Sequence, residues 1–190
     1  MQISFGANLI STTTVDKLTN ISKGTFRKVP VSFVEFDPTN SCDMRAINGI
    51  ANLYNSSDIP NHNNYAEQIR GEFNTIFINR NNLKQRRFFG LTTQSTGFNY
   101  IDVPKTLGVA STSIIDNAVN INFLQVDPTQ NFFARDRKIY GVGTSILNSL
   151  KALFKDNDLC LLPDYDAVKF YTLNGFKPVK KGQRSLIFKH

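Results

Sequence analysis

Several residue types that anchor particular kinds of site are scarce in this chain. Its 190 residues include no tryptophan, two cysteines and two histidines. Cys42 and Cys160 are too few for a disulfide framework, and no Cys or His cluster has zinc spacing, so we expect reduced thiols and no metal. No segment approaches the run of about 18 apolar residues that a membrane helix needs. MQISFGANLI at the start lacks a basic region before an apolar run, so we expect a cytoplasmic protein with no membrane partner.

The chain does have an excess of basic side chains. Lys and Arg total 22 against 15 Asp and Glu, which gives a net charge of +7. This charge favours an anionic partner such as nucleic acid or a phosphorylated cofactor, although a basic surface kept for solubility has the same composition. Hydrophobic residues make up 41% of the chain, so we expect residues 1–190 to form a single domain with its own core.

Hydrophobic periodicity predicts alternating strands and helices. Residues 1–27, rich in Ser, Thr and Asn, are interpreted as an N-terminal extension that is mostly loop, with at most a short edge strand. Strands are predicted at 29–38, 86–94, 106–115, 117–128 and 158–163 and in two short segments near the end. Helices are predicted from a cap at 39–41 to Tyr54, and at 65–79, 141–155 and 164–174. This order predicts an α+β fold with a mixed, mostly antiparallel central sheet, flanked by helices, and a parallel crossover over 118–162.

The segment ARDRKIYGVGTSIL (134–147) joins a predicted strand to a predicted helix and invites comparison with phosphate-binding loops. A P-loop would need GxxxxGK[ST], and neither the spacing nor the Lys is present. A dinucleotide fingerprint would need a third glycine where Ile146 stands, and too few residues follow to complete a doubly wound sheet. General physics leaves two interpretations, which are an anion site at a glycine-rich helix start and a plain helix start beside a solvated basic loop.

Two motifs in sequence order favour the first interpretation. VDP at 126–128 followed by KIYGVG at 138–143 is similar to a strand-ending V-x-P turn and a [QR]-x-x-G-x-[GA] loop. Downstream, DYDAVKFYTLNGF at 164–176 is similar to the pattern N-x-x-A-x-x-F-Y-x-x-x-G-F. Together they resemble the GCN5-related N-acetyltransferase (GNAT) superfamily, with Lys138 in place of Gln or Arg and Asp164 in place of Asn.

The closest match to that superfamily covers residues 117–178. No counterpart is found for residues 1–27 or for the 94–105 loop. The resemblance implies acetyl-CoA as donor, direct transfer to a primary amine, and a GNAT-like sheet whose fourth and fifth strands, here 118–126 and 158–162, splay apart to hold pantetheine. It implies cofactor contacts by Leu124, Val126, Lys138, Ile139, Gly141, Val142, Gly143, Thr144, Asp164, Ala167 and Tyr171.

Within this comparison, each chemical role is assigned to a group on a particular element. Main-chain groups of Leu124 and Val126 would pair with the pantetheine amides, and backbone N–H groups around 139–144 would hold the pyrophosphate. Tyr171 is the candidate general acid for the departing thiolate. It would share one helix face with Ala167 and Asp164, and the small side chain of Ala167 would let the cofactor approach that face closely.

The oxyanion donor and the base are less well defined by the sequence. The oxyanion donor would be a main-chain N–H at a strand bulge near Leu124. The fourth strand has no carboxylate to serve as base, which leaves relayed water, Glu35 or Glu72 as alternatives.

Three functions follow as hypotheses. The first is N-acetylation of an amine-bearing small molecule or peptide, and the second is a toxin-type acetyltransferase acting on aminoacyl-tRNA or the ribosome. Basic residues at 80–87 and 177–184 would favour nucleic acid. The third is a non-catalytic CoA-binding member. The acceptor and the oligomeric state, with a homodimer as one option, are left open.

Overall fold

The computed structural model describes residues 6–56, 62–78, 85–131, 134–180 and 182–190. The strands are β1 (Asn8–Asn20), β2 (Thr25–Phe36), β3 (Arg86–Thr92), β4 (Thr106–Ile115), β5 (Ala118–Val126), β6 (Ile139–Tyr140), β7 (Leu159–Leu161), β8 (Lys177–Pro178) and β9 (Leu186–Phe188). The helices are α1 (Ser41–Asn55), α2 (His62–Ile78), α3 (Val142–Leu153) and α4 (Val168–Leu173), with 3-10 turns at Val103–Lys105 and Tyr165–Ala167.

All the described strands join one sheet, in the order β6-β1-β2-β3-β4-β5-β7-β9-β8. Among the described strands, β5 and β7 form the one parallel pair, and helix α3 lies between them in the chain. The predicted α+β fold with a mixed, mostly antiparallel sheet is therefore confirmed, as is the parallel crossover. Within the described residues, no helix is both long enough and apolar enough to cross a membrane.

Each face of the sheet packs against its own pair of helices. Alternate residues of a strand point to opposite faces, so neighbouring Phe88 and Phe89 enter different cores. One core contains the buried faces of α1 and α2, and the other contains those of α3 and α4. We call these two sides of the sheet the α1/α2 face and the α3 face. The site described below lies where β5 separates from β7 and is reached by groups from both faces.

The N-terminal extension differs from its predicted loop. Residues Asn8–Asn20 form a strand of 13 residues that pairs antiparallel with β2, and a turn containing Gly24 (φ +59°) connects them. Val15 pairs with Val29 and is only 1% exposed, so this strand contributes to the core. The sequence did not predict this strand because a Ser/Thr/Asn-rich segment has little hydrophobic periodicity. Its conformation is decided by pairing with another segment of the chain.

Two of the predicted helices have different outcomes. The predicted cap of α1 is confirmed, because the Asn40 side chain accepts hydrogen bonds from the N–H groups of Cys42 and Asp43. The continuous helix predicted over 164–174 is wrong in its first turn. Asp164 keeps an extended backbone (ψ 155°), a 3-10 turn follows, and α4 begins only at Val168.

Asp43 provides a pH-dependent contribution to stability. Its side chain is fully buried, its Oδ2 accepts the Asp37 N–H at 2.7 Å, and burial raises the pKa of its carboxyl from 3.8 to about 6. Because the folded state holds this proton more tightly than the unfolded state, stability from Asp43 is present below about pH 4 and is lost as pH rises towards 6.

We expect Asp43→Asn to abolish this pH-dependent loss, which is up to about 3 kcal/mol of unfolding free energy. Asn keeps an oxygen for the Asp37 N–H but cannot ionise. Urea unfolding of both proteins at pH 4, 5, 6 and 7 measures the difference, with Asp102→Asn, at an exposed ion pair with Lys105, as the matched control. If Asp43→Asn follows the wild-type pH curve in parallel, the buried carboxyl does not ionise as described.

Candidate cofactor and active site

A gap between β5 and β7 forms the centre of the site. Within the described chain these strands pair only at Val119–Leu159 and Asn120–Cys160, after which β5 continues to Val126 without β7 beside it. The short β7 ends at Leu161, and its other side pairs with β9 along all three of its residues. The predicted splaying of these two strands is thus present. Beyond Asn120, the main-chain groups on the β7 side of β5 therefore have no neighbouring strand, as in the edge strand of a sheet.

Main-chain groups of Leu124 and Val126 face this gap. The Asp127 N–H donates to the Leu107 carbonyl of β4 at 2.8 Å. Neighbouring residues of an antiparallel strand direct their main-chain groups to opposite sides, so Gln125 also faces β4, while Leu124 and Val126 face away from it. These are the two residues for which the sequence comparison implied pantetheine contacts.

A β-bulge at Asn122 produces this orientation. Ser111 pairs with Phe123 and Thr112 pairs with Ile121, so Asn122 is an extra residue in β5. The Val119 N–H faces β7 and donates to Asp158 O at 2.9 Å. Without the extra residue, strict alternation from Val119 would aim Phe123 rather than Leu124 at the gap. The bulge was expected near Leu124 and lies two residues earlier.

The N-terminus of α3 supplies unpaired donors. Gly141 is the N-cap in a left-handed conformation (φ +76°), and no side chain caps the helix. The Ser145 N–H reaches Gly141 O at 2.8 Å, whereas the N–H groups of Val142, Gly143 and Thr144 have no acceptor among the described residues. Uncapped N–H groups together with the helix dipole favour an anion at this position.

The residues before Gly141 are held in place by other protein groups, which narrows the set of predicted donors. The Gln130 side-chain oxygen accepts the N–H groups of Lys138 (3.1 Å) and Ile139 (2.8 Å). Ile139 also lies in β6, paired with Lys17 of β1. The Ile139 N–H therefore already has an acceptor within the protein, and the free N–H groups at the start of α3 are those of residues 142–144. Nothing in the sequence pattern marked Gln130 for this role.

Gly143 leaves room for a side chain of α4. A Cβ on Gly143 would lie 2.9 Å from Phe170 Cζ of α4, so the ring already fills the space beside it. A Cβ on Gly141 would meet nothing within 4 Å. Gly141 thus stands beside open space, while Gly143 allows α4 to pack against α3.

Tyr171 lies on the core-facing side of α4, in the α3-face core. It is 8% exposed and packs edge-on against Phe176 at a ring distance of 5.8 Å. Burial, and secondarily the charge of Asp164, raises the pKa of its hydroxyl to about 12. The hydroxyl forms no hydrogen bond with the described part of the chain. It therefore stays protonated at neutral pH and is available to donate.

The other two residues expected on the Tyr171 helix face have separate positions. Ala167 is the half-buried N-cap residue of α4 and packs against the α3-face core. Asp164 precedes the 3-10 turn, so it does not share a helical face with Tyr171 as expected. Its charge nevertheless acts on Tyr171, whose pKa it helps to raise. It also raises the pKa of Tyr65 on α2, where burial is the larger cause.

The two carboxylates considered as bases are in different environments. Glu35 makes a two-pronged ion pair with Arg87, at 2.7 and 2.6 Å, and both Arg87 and Phe89 beside it lie on the α3 face near Phe154. Glu72 reaches β4 on the α1/α2 face, where its Oε2 accepts the Ser111 hydroxyl at 2.8 Å. Ser111 is paired with Phe123, next to the bulge. Of the two carboxylates, Glu72 is thus the one that contacts a residue paired with β5.

Three other sequence-derived features contribute less to the site. Burial raises the pKa of the Cys160 thiol, which is consistent with an inert thiol. The basic cluster predicted at 80–87 lies partly outside the described residues, and both Arg86 and Arg87 within it face carboxylates. No group of three His, Cys, Asp or Glu side chains suited to a metal ion occurs in the described ranges.

Comparison with known proteins identifies this architecture. No protein-family model and no curated protein matches the chain. Among solved structures it is similar to PaiA N-acetyltransferase from Thermoplasma acidophilum in complex with coenzyme A, at 16% identity over 83% of this chain and 96% of that chain, with a TM-score of 0.51.

Two further structures support the same fold. A putative acetyltransferase of the GNAT family from Desulfovibrio desulfuricans has 11% identity over 83% of this chain and 96% of its own, with a TM-score of 0.54. Tetrahymena GCN5 has 12% identity over 91% and 93%, with a TM-score of 0.50. The chain therefore has the fold of the GCN5-related N-acetyltransferase superfamily.

Proposed function

We propose that this protein is an acetyl-CoA-dependent N-acetyltransferase that moves the acetyl group directly to a primary amine. The observation that carries the proposal is the open edge of β5, where Leu124 and Val126 direct unpaired main-chain groups into the gap beside the uncapped start of α3. An extended pantetheine chain contains amides that can pair with such an edge as an added strand would. A pyrophosphate suits the three free N–H groups of residues 142–144.

Three groups of the chain then surround the reacting atoms. The Leu124 N–H stabilises the oxyanion that forms on the thioester carbonyl as the amine attacks its carbon. The C–S bond breaks, and Tyr171 donates its proton to the departing thiolate. The new amide keeps the acetyl carbon. The raised pKa of Tyr171 supports the donor role, since the hydroxyl is fully protonated when the thiolate forms.

The attacking amine must also lose a proton, and Glu72 is the group positioned to accept it. Tyr171 belongs to the α3 face, whereas Glu72 lies on the α1/α2 face, so acid and base approach β5 from opposite sides of the sheet. The Glu72 side chain is 26% exposed, which lets a water molecule connect it to the amine. Both carboxylates face an arginine, but Arg86 lies 3.9 Å from Glu72, whereas Arg87 holds Glu35 with two hydrogen bonds of 2.7 and 2.6 Å, so Glu35 takes no part.

Amide hydrogen exchange tests the placement of the cofactor. On addition of acetyl-CoA, we expect slower exchange at Leu124, Val126 and the free amides of 142–144, because they gain acceptors. Gln125 and Asp127 are internal controls, since their N–H groups already face β4. Equal slowing at all four amides of residues 124–127 would indicate general rigidification, and failure of acetyl-CoA to bind in calorimetry would overturn the proposed function.

A screen of acceptors with labelled acetyl-CoA tests the activity itself. Small amines, Lys-containing peptides and aminoacyl-tRNA represent the three acceptor classes that remain open. Transfer to any one of them establishes the enzyme. Cofactor binding without transfer to any would instead support a non-catalytic CoA-binding protein.

A further inference from the structure

The N-terminal hairpin places two cations directly opposite each other. Lys17 of β1 pairs in register with Arg27 of β2, so both side chains point to the same face. Like charges in this arrangement repel, which is destabilising unless an anion lies between them. These two residues and Lys138 line one cleft with Leu18, Thr19 and Ile21, and none of these residues is acidic. We call this surface the hairpin cleft.

The hairpin cleft continues from the start of α3. The Ser145 hydroxyl of α3 donates to the Thr14 carbonyl of β1 at 3.0 Å, which fixes the helix start over this strand. Val15 and Val29 follow in the α3-face core. Lys17 and Arg27 form the next cross-strand pair on this face, two residues along each strand from Val15 and Val29. Lys17 is also paired with Ile139, two residues before Gly141. The two cations therefore extend the positive potential of the free helix amides.

The other face of the hairpin is arranged differently. Lys28 is held by Asp16 at 2.9 Å, so that pair is neutralised. Neither Lys17 nor Arg27 has an ion-pair partner in the described chain. Uncompensated positive charge is thus concentrated on the side where α3 begins.

We propose that Lys17 and Arg27 bind a phosphate that lies beyond the pyrophosphate at α3, namely the 3′-phosphate of CoA. This inference rests on the proposed function and gives the N-terminal hairpin a role in cofactor recognition. A ligand with separated phosphate groups matches the two adjoining positive centres, one built from amides and one from side chains. Lys138, which also lines the hairpin cleft, adds to this positive charge.

Binding of CoA and of 3′-dephospho-CoA, compared by calorimetry, tests the proposal. The wild-type protein should bind CoA about tenfold more tightly than 3′-dephospho-CoA. The variant Lys17→Ala/Arg27→Ala should lose this preference while keeping the wild-type affinity for 3′-dephospho-CoA. The variant Lys23→Ala/Lys28→Ala, which removes the same charge from the hairpin tip and the opposite face, should retain the preference.

Each alternative result has a separate meaning. An unchanged preference in Lys17→Ala/Arg27→Ala would overturn the hairpin assignment but leave acetyl-CoA binding intact. No binding of either nucleotide by the wild-type protein would overturn the proposed function itself. A loss of affinity for a single-stranded RNA oligonucleotide, with the CoA preference unchanged, would show that the cleft serves nucleic acid and would also overturn the proposal. Matching circular dichroism spectra and melting temperatures confirm that all variants fold.

Discussion

Replacing Tyr171 with Phe should lower kcat for acetyl transfer by about 10²-fold or more, while the Kd for acetyl-CoA stays within about twofold. The change removes one hydroxyl, and that hydroxyl makes no hydrogen bond within the described chain, so the fold loses nothing. The ring contacts with Phe170 and Phe176 remain. The thiolate would then leave without a proton donor.

Steady-state kinetics and calorimetry on the same preparation measure this effect. Tyr165→Phe is the matched control, because that residue is 81% exposed on the preceding 3-10 turn and should leave kcat unchanged. An unchanged melting temperature separates loss of chemistry from loss of fold. A Tyr171→Phe enzyme with the wild-type kcat would exclude the hydroxyl from the mechanism.

Replacing Glu72 with Gln should also lower kcat by about 10²-fold, but to an extent that depends on the acceptor. Gln keeps an oxygen for the Ser111 hydroxyl and so preserves the contact between α2 and β4. It cannot take a proton from the amine. Acceptors whose amines have a low pKa arrive already deprotonated, and they should lose much less rate than strongly basic amines.

A series of acceptors of graded amine pKa, measured with both enzymes, provides the test. Glu67→Gln, an exposed site on the same helix, is the control and should behave as wild type. A loss of rate that is equal for all acceptors would assign Glu72 a structural role and return the base to relayed water. The two predictions are independent, because Tyr171 and Glu72 act from opposite faces of the sheet on different protons.

The elements with a strong local pattern were the most predictable from sequence. The bounds predicted for β4, 106–115, coincide with those observed, and the helix predicted at 141–155 is present as α3. Both have a strong local signal, since α3 places Ile146, Leu147 and Leu150 on one buried face. Both elements could be predicted from local periodicity and, for α3, from the glycine at the helix start, without information from distant segments.

The elements that were missed depend on distant partners. β1 contains few large apolar residues and forms by pairing with β2, and the two-residue β6 forms beside β1. For the same reason Lys17 and Arg27 could not be associated with the loop at 138–143, which lies more than a hundred residues away in the chain. Non-local strand pairing is invisible to any window along the sequence.

By itself, the sequence determined the α+β order of elements, the glycine-rich start of α3 and the placement of Tyr171 on a short helix after β7. These follow from local periodicity and from two motifs in the right order.

Only the tertiary structure decided which groups face the gap. The orientation of Leu124 and Val126 depends on the register between β4 and β5 and on one extra residue at Asn122. The choice of Glu72 over Glu35 depends on which face of the sheet each carboxylate reaches. Side-chain and main-chain directions alternate along a strand, so one inserted residue reverses them. The register of a strand and the face that a residue reaches are therefore defined only relative to the neighbouring segments.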